Sequence, residues 1–270
     1  RPLDQFAFTF YFEPFTFYSP DAYQAMQNAS GNNQGSIKRD RFAVVIPVYN
    51  HGSSVQKVIA ATQELGLPIF VVDDGCSDDT RQRLSGFQDI HILRHPQNQG
   101  KGAALMTGFR EASRVADWAI SIDADGQHDP RDAAALIQAA QQSGPALIIG
   151  SRQGMQGPHV KWSSRFGRKF SNFWVWASGG PLVSDSQSGF RVYPLPEATD
   201  LGVKARRFEF EVEILVRAHQ HQLPVLEVPV GVHYLPPRER ISHFRPCRDF
   251  CRNGATFTRL ILQRACKKRS

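Results

Sequence analysis

The sequence has few of the features that mark secreted, disulfide-bonded or membrane-spanning proteins. It contains only four cysteines among 270 residues, and no two form a C-x-x-C pair. Neither a disulfide framework nor a structural zinc site is therefore indicated. No apolar run approaches the ~18 residues that a membrane-spanning helix needs, and no secretory leader pattern opens the chain. We therefore expect a cytoplasmic protein.

Two common nucleotide-binding motifs are also missing. The first predicted strand, "RFAVVIPV" at 41–48, is not followed by G-x-G-x-x-G, and G-x-x-x-x-G-K-[ST] occurs nowhere in the chain. Both motifs bind phosphates through glycine-rich loops that begin helices. The sequence thus argues against a dinucleotide-dependent oxidoreductase and against a P-loop NTPase.

Positive charge is unevenly distributed along the chain. Residues 238–270 hold ten Lys or Arg and two acidic residues, a net charge of +8 that leaves −1 for residues 1–237. Because the excess belongs to the C-terminal region, it does not imply a general nucleic-acid-binding surface. We expect no nucleic-acid partner.

Strand and helix patterns alternate from residue 41 onward. Apolar runs bounded by turn residues predict five strands, at 41–48, 69–72, 90–93, 118–122 and 146–150. Apolar residues at helical spacing lie between them. This alternation predicts an α/β fold with a doubly wound, mostly parallel sheet, in which ligands bind at the carboxyl ends of the strands.

Three regions follow from these patterns: an N-terminal extension at 1–40, a main domain at 41–236, and a basic loop with an amphipathic helix at 237–270. The helix predicted at 250–268 has one apolar face, formed by Phe250, Phe257, Leu260, Ile261 and Ala265. Arginine and lysine residues lie roughly opposite. Such a helix suits an anionic membrane surface. Packing on the main domain is the alternative.

Polar side chains follow the fourth predicted strand in the segment "SIDADGQHDP". Asp123, Asp125 and Gln127 alternate along an extended chain, so their oxygens can point to one side. Such oxygens suit Mg²⁺ or Mn²⁺, which often complete their coordination with substrate phosphates. The segment predicts a metal-bound diphosphate. A solvated Asp-Gly turn is one alternative, and a haloacid-dehalogenase-like phosphatase with Asp123 as nucleophile is another.

Two other segments carry candidate functional groups. The glycine-rich "NQGKGAAL" precedes a predicted helix, so Lys101 and backbone N–H groups can face an anion there, although a plain tight turn fits equally well. In "RRFEFEVEIL", Glu209, Glu211 and Glu213 recur at every second position within a pattern that also suits a helix. We expect one of these acids to be functional and the others to be solvated.

Six motifs together resemble those of family 2 glycosyltransferases with the GT-A (Rossmann-like) fold. They are "IPVYN", "VVDDGCSDDT", "NQGKGAAL", "DADGQHDP", "SGFRVY" and "FEFEVEI", in the family's order and approximate spacing from Phe42 to beyond Arg240. The chain is most similar to the dolichol-phosphate-mannose-synthase-like branch, which includes bacterial enzymes of envelope lipid assembly. The C-terminal transmembrane helices of some relatives have no counterpart in this sequence.

The resemblance implies a metal-dependent, inverting transfer of a hexose-type sugar. The donor would be a UDP- or GDP-sugar and the acceptor a polyprenyl phosphate or another lipid-linked molecule. We expect cell-envelope biosynthesis at the inner face of a membrane, to which the protein would bind peripherally through its C-terminal helix. A catalytically silent sugar-nucleotide-binding protein is the alternative.

The resemblance also implies roles for individual residues. The donor nucleotide-sugar would contact Pro47, Tyr49, His51, Asp74, Lys101, Asp123, Ala124 and Asp125, and the metal ligands would be Asp123, Asp125 and Gln127. Arg191 would face a phosphate, and Asp185 or Glu209 would act as the base. The acceptor or the membrane would contact Arg238, Arg240, His243 and Arg245. His51 stands where this branch often has Glu, which leaves the nucleoside open.

Overall fold

The computed structural model describes residues 40–153, 162–233 and 246–267, without the side chains at 162–165, 246–248, 250 and 267. These described residues belong to one compact unit. The predicted extension at 1–40, apart from Asp40, and the residues Arg238, Arg240, His243 and Arg245 lie outside the described part.

Seven strands in the described part form one sheet. They are β1 (Phe42–Val48), β2 (Ile69–Asp73), β3 (His91–Arg94), β4 (Trp118–Ser121), β5 (Leu147–Arg152), β6 (Arg191–Pro194) and β7 (Val225–Val230). Their order is β3-β2-β1-β4-β6-β5-β7. β6 is antiparallel to β4 and β5, whereas the other neighbours are parallel. The predicted mostly parallel mixed sheet is confirmed, and its five expected strands are all present.

Eight α-helices accompany the sheet within the same residues. They are α1 (Gly52–Gln63), α2 (Thr80–Leu84), α3 (Lys101–Ala112), α4 (Ala133–Ser143), α5 (Trp162–Ala177), α6 (Glu197–Asp200), α7 (Phe210–Gln220) and α8 (Pro246–Lys267), with a 3₁₀ turn at Pro130–Asp132. No helix of this described set has the length and apolarity needed to cross a bilayer.

Both faces of the sheet are covered, which explains why its central strands are continuously apolar. In β1, Ala43 and Val45 belong to one hydrophobic cluster with residues of α3 and α7, such as Phe109 and Phe210. The alternate residues of β1, such as Ile46, belong to the cluster that includes residues of α1 and α4. The carboxyl ends of β1, β2 and β4 lie at one edge of the sheet, between the helices that cover its two faces.

The first helix begins without a side-chain cap from its own N-cap residue. α1 starts at Gly52, and its N-cap residue, His51, makes no side-chain cap hydrogen bond. The backbone N–H of Gly52 donates to Asp78 Oδ2 at 3.2 Å, and that of His51 donates to Thr80 Oγ1 at 3.1 Å. The loop after β2 thus satisfies backbone donors that a local cap would otherwise bind.

A helix is present at the C-terminus over Pro246–Lys267, and part of its predicted apolar face packs on the protein. Phe257 is 3% exposed and Leu260 is fully buried within the core. The Phe257 ring stacks on Trp174 of α5 with ring centroids 6.0 Å apart, and Arg259 Nη2 lies 2.6 Å from Glu213 Oε2 of α7. Packing on the main domain, the alternative considered above, is the observed arrangement.

Candidate active site

The site lies where β1, β2 and β4 end. β1 pairs in parallel with both β2 and β4, so the segments after Val48, Asp73 and Ser121 leave the sheet at the same edge. This is the edge at which ligands bind in open α/β sheets. The charged motifs identified in the sequence follow these three strands, and α3 begins beside them.

Lys101 joins two of these motifs. Its Nζ lies 2.7 Å from Asp123 Oδ1, at the end of β4, and also forms an ion pair with Glu211 in α7. Burial by itself lowers the pKa of Lys101, but the two carboxylates outweigh it and hold the pKa above its ordinary value. Burial likewise raises the pKa of Asp123, and Lys101 reverses the shift, so the pKa falls below normal. The site therefore holds a charged Lys101 between two carboxylates.

Asp125 and Gln127 form a local unit. The backbone N–H of Gln127 donates to Asp125 Oδ1 at 3.0 Å, and its side-chain Nε2 donates to Asp125 Oδ2 at 2.7 Å. The amide thus turns its nitrogen, and not its oxygen, toward the carboxylate. Gln127 therefore orients Asp125 in the observed arrangement.

The residues present fit a divalent metal ion in part. Asp123 and Asp125 offer hard carboxylate oxygens, and Mg²⁺ is often held by only two carboxylates with substrate phosphates completing its coordination. Within residues 40–153, 162–233 and 246–267, no group of three or more His, Cys, Asp and Glu side chains is gathered for a metal. A metal here would need oxygens from a bound diphosphate or water, and would compete with Lys101 for Asp123.

Asp74 is occupied by contacts within the protein, in contrast to the expected nucleoside contact. It is 2% exposed, and its carboxylate accepts hydrogen bonds from the backbone N–H groups of Gln99 and Gly100, each at 2.8 Å. His95 Nδ1 lies 2.7 Å from the same carboxylate. Asp74 therefore fixes the start of α3, and with it the position of Lys101.

Asp185 is a buried ion-pair partner, which argues against its role as a base. It is fully buried, and Arg152 Nε and Nη2 donate to its two oxygens at 2.7 and 2.8 Å. Arg168 of α5 lies 3.9 Å from the same group. Burial by itself raises the pKa of Asp185. The hydrogen bonds and positive charge of Arg152 outweigh that effect, so the pKa lies below its usual range.

Arg191, which the resemblance assigns to a phosphate, binds backbone carbonyl oxygens of the protein. Its side chain is fully buried, and its guanidinium donates to the carbonyl oxygens of Ser186, Ser188 and Glu211 at 2.7 to 2.9 Å. These bonds tie the loop before β6 to α7. Arg191 therefore positions Glu211 and, through it, Lys101.

The three glutamates of α7 and its N-cap occupy different environments. Glu209 lines a cavity of about 510 Å³ with Arg206, Arg207 and other polar residues, and Lys101 does not contribute to that lining. Glu211 is the partner of Lys101. Glu213 is fully buried and pairs with Arg217 and Arg259. The expectation of two solvated acids was wrong, because helix packing buries Glu211 and Glu213.

The remaining expected donor contacts surround the same edge. Pro47, Tyr49 and His51 are half-buried at the end of β1, and a positive contribution from His51 helps to lower the pKa of Asp123. The carbonyl oxygen of Ala124 accepts a hydrogen bond from Ser54 Oγ at 2.6 Å. The end of β1 and the start of α1 are thus fixed against the Asp123 segment.

The sequence did not single out Arg152, Arg168 or His128. Arg152 is the last residue of β5. Its position at a strand end was the feature of the sequence that could have identified it as a site residue. His128 is 7% exposed beside the Phe190 ring, and burial lowers its pKa to about 4. Their side chains add positive charge and one neutral imidazole to the surroundings of Asp123 and Asp185.

Comparisons with known proteins agree with this fold and motif set. Residues 43–196 match the family model described as "Glycosyl transferase family 2". The chain is 29% identical over 71% of its length to a UDP-N-acetylglucosamine–dolichyl-phosphate N-acetylglucosaminyltransferase of Methanococcus voltae, covering 85% of that protein. It is 28% identical over 70% of its length to an undecaprenyl-phosphate mannosyltransferase of Micrococcus luteus, covering 82% of that protein.

A solved structure shares the fold. The mannosyl-3-phosphoglycerate synthase of Rubrobacter xylanophilus aligns with 84% of this chain and 74% of its own, with a TM-score of 0.54 and 14% sequence identity. The mixed seven-stranded sheet and its flanking helices thus define a protein of the GT-A class. The chain belongs to glycosyl transferase family 2, and it is a glycosyltransferase of the dolichol-phosphate-mannosyltransferase-like kind. The interpretation as a haloacid-dehalogenase-like phosphatase is thereby set aside.

Proposed function

We propose that this glycosyltransferase moves a sugar from a UDP- or GDP-sugar to a polyprenyl phosphate or another lipid-linked acceptor. The observation that carries the proposal is the ion pair of Lys101 with Asp123 and Glu211 at the carboxyl edge of the sheet. It places a fixed positive charge next to the carboxylates that follow β4. Two of the relatives reported above are named for transfer to polyprenyl phosphates.

The transfer is proposed to invert the anomeric centre. An acceptor oxygen forms a bond to the anomeric carbon while the bond from that carbon to the donor diphosphate breaks, and the nucleoside diphosphate leaves with the electron pair. Negative charge builds on the leaving diphosphate, so positive groups fixed beforehand stabilise the transition state. Lys101 is suited to this role, because its ion pairs hold it in place.

Mg²⁺ or Mn²⁺ is the proposed cofactor, held by Asp123 and Asp125 with the donor diphosphate. When bound, the ion supplies Lewis-acid stabilisation of the leaving group. Gln127 orients Asp125 through two hydrogen bonds. His51, Pro47, Tyr49 and Ala124 are proposed to line the donor side of the edge, where they lie around the Asp123 segment.

The acceptor phosphate is proposed to approach the Arg152 and Arg168 side chains. Both lie beside the buried Asp185, and their side chains are 16% and 22% exposed. A phosphate acceptor at neutral pH is already a nucleophile, so no separate base is required. This agrees with the observation that Arg152 holds the carboxylate of Asp185. Arg238, Arg240, His243 and Arg245 remain proposed acceptor or membrane contacts.

A lipid acceptor places the enzyme at a membrane. We propose that it acts in cell-envelope biosynthesis, on the cytoplasmic side, as a peripheral protein. The 237–270 region contributes positive charge to this attachment, while the 41–236 region carries the reaction.

Donor binding and transfer test the proposal in two steps. Melting of the full chain with Mn²⁺ and a panel of UDP- and GDP-sugars should show a rise in Tm for one nucleoside, because a ligand that binds only the native state stabilises it. That donor should then support transfer of labelled sugar to undecaprenyl or dolichyl phosphate. Donor binding without any transfer would instead favour the catalytically silent alternative.

Asp125→Asn is the variant that tests the metal site. It should remove Mn²⁺-dependent transfer and metal-dependent donor binding, while far-UV circular dichroism stays unchanged. Asp129→Asn is the matched control in the same segment, since Asp129 pairs with the exposed Arg131 outside the site. Full transfer by Asp125→Asn in the presence of Mn²⁺ would overturn the metal role.

A further inference from the structure

Helix α5 exposes three large aromatic side chains. Phe166, Phe173 and Trp176 have 56%, 54% and 49% of their surface exposed. Their spacing of seven and three residues places them on one side of the helix. The opposite side faces the core, where Ser171 is 3% exposed and Val175 is fully buried. Three half-exposed aromatic rings on one helix face form the kind of apolar surface that marks an interaction site.

Ring contacts hold this face in place. Phe166 stacks on Phe170 at 6.2 Å, Phe170 contacts Trp174 at 6.0 Å, and Trp174 stacks on Phe257 of α8 at 6.0 Å. Phe173 contacts both Trp174 and Trp176. Because this row of rings continues into the buried core at Phe257, the aromatic face is presented by packed side chains.

Positive charge borders the aromatic face. The segment 162–177 contains three basic residues, Arg165, Arg168 and Lys169, and no acidic residue. Lys169 is exposed. Arg264 of α8 is also exposed, and it lies close to Gly179, just beyond the end of α5. Aromatic rings bordered by cations match an anionic lipid surface, in which the rings enter the interface and the cations meet the headgroups.

We propose that this face of α5, together with Arg264, docks the enzyme on an anionic lipid bilayer. The partner is a lipid surface rather than a second copy of the chain, because two such faces would bring like charges together. The expected membrane contact through the apolar face of α8 is thereby reassigned, since Phe257 and Leu260 of that face are buried. α8 contributes charge and the exposed Leu262.

The surface adjoins the candidate active site. Arg168 of α5 donates from Nη1 to the carbonyl oxygen of Arg152 at 3.4 Å and lies 3.9 Å from Asp185. A bilayer bound to α5 would therefore present lipid headgroups next to this group of charges. This step rests on the proposed function, because only a lipid-linked acceptor requires the site and the membrane surface to be neighbours.

Vesicle co-sedimentation of the full chain tests the proposal. Wild type should pellet with vesicles that contain phosphatidylglycerol and less with pure phosphatidylcholine. The triple variant Phe166→Ser, Phe173→Ser, Trp176→Ser should lower the partition coefficient on anionic vesicles by at least about tenfold, since each buried apolar group adds to interfacial binding. Val115→Ser, at an exposed apolar residue just beyond α3, is the matched control and should bind as wild type does.

A charge variant tests the second half of the surface. Lys169→Gln with Arg264→Gln should reduce binding to anionic vesicles several-fold and leave the weaker binding to neutral vesicles unchanged. Equal pelleting of the triple variant and wild type, or no pelleting of wild type on either lipid, would overturn the proposal.

Other occupants of the face give distinct results. If the triple variant changes the oligomeric state of the protein in solution and leaves vesicle binding unchanged, the face joins two copies of the chain and the proposal fails. If vesicle binding appears only after residues 1–38 are removed, that segment covers the face and the proposal also fails.

Donor-induced melting is measured in parallel with vesicle binding. A triple variant that keeps the donor-induced rise in Tm but loses vesicle binding supports the docking surface. Vesicle binding by a wild-type protein that shows no donor-induced rise in Tm refutes the proposed function alone.

Discussion

Lys101 Nζ lies 2.7 Å from Asp123 Oδ1 across 22 residues of sequence and also pairs with Glu211, 110 residues further along from Lys101. A single ammonium group thus links the start of α3, the end of β4 and the start of α7. Gly189 lies against the same pair, because a Cβ at that position would overlap Asp123 and Lys101. The pair is therefore part of the protein's structure as well as its site.

Replacing Lys101 should destabilise the protein strongly. Lys101→Met leaves Asp123 and Glu211 without their shared cation, and removing one partner of a buried ion pair typically costs about 3–5 kcal/mol. Urea denaturation should show that loss in the free energy of unfolding. Arg83→Met is the matched control, because the Arg83–Asp79 pair is exposed and such pairs contribute less than about 1 kcal/mol. Equal effects of the two variants would contradict the structural role of Lys101.

The Arg152–Asp185 pair should behave as one unit in a double-mutant cycle. Arg152→Met and Asp185→Asn each leave a buried group without its partner, so each should lower the free energy of unfolding by about 3 kcal/mol. The double variant should cost less than the sum, with a coupling energy of about 1–3 kcal/mol. Additive effects would show that the two-point contact between the side chains does not contribute to stability.

The strand pattern and the strand-end motifs could be predicted from the sequence because they depend on local order. Five apolar runs gave β1 to β5, and Asp123 stands at the expected strand end. β6 and β7 were missed, since β6 includes Pro194 and the charged Arg191 among its four residues and β7 has mainly half-buried and exposed positions. Local apolar periodicity does not identify strands of that kind.

The partners of the charged residues could not be predicted because they come from distant parts of the chain. Nothing near Asp74 in sequence indicates that the N–H groups of Gln99 and Gly100 use its carboxylate. The same holds for Arg191, whose guanidinium is taken up by three carbonyl oxygens. Helical periodicity placed Phe257 and Leu260 on one face of α8, and both are buried, but periodicity could not tell whether lipid or protein covers that face.

The turn after β2 should be sensitive to a single methyl group. Gly75 has φ of +74°, and a Cβ there would lie 2.5 Å from the carbonyl carbon of Gln97 and 2.6 Å from the backbone nitrogen of Asn98. Gly66 has a similar φ of +64° with nothing within 4 Å of its Cβ position. Gly66→Ala should therefore lower the free energy of unfolding by only about 1–2 kcal/mol, which is the cost of holding an alanine in the left-handed conformation.

Gly75→Ala should cost more than Gly66→Ala, because the backbone at 97–98 must also move. We expect an additional loss of at least about 2 kcal/mol in the free energy of unfolding, within the range known for backbone strain and overpacking. The displaced loop also carries the N–H of Gln99 to Asp74, so the donor-induced rise in Tm should shrink as well. Equal losses in the two variants would show that the loop after β3 accommodates the methyl group.

His128 should make the stability of the protein fall as the pH falls from 7 to 5. Burial lowers its pKa to about 4, with Asp123 opposing and Arg152 adding to the shift, whereas an unfolded histidine has a pKa of about 6.5. Between these values the unfolded chain binds more protons than the folded one, so the free energy of unfolding rises with pH.

The size of this effect can be isolated by substitution. From pH 7 to pH 5, wild type should lose about 2 kcal/mol more than His128→Gln, because the variant has no imidazole to protonate on unfolding. Urea denaturation at the two pH values measures this difference, and His219→Gln, at an exposed position in α7, serves as the control. The carboxyl groups of Asp123 and Asp185 have lowered pKa values. They change the free energy of unfolding only at lower pH, where the stability that they contribute is lost as they become protonated. Parallel pH dependence in wild type and His128→Gln would mean that the folded protein accommodates a protonated His128.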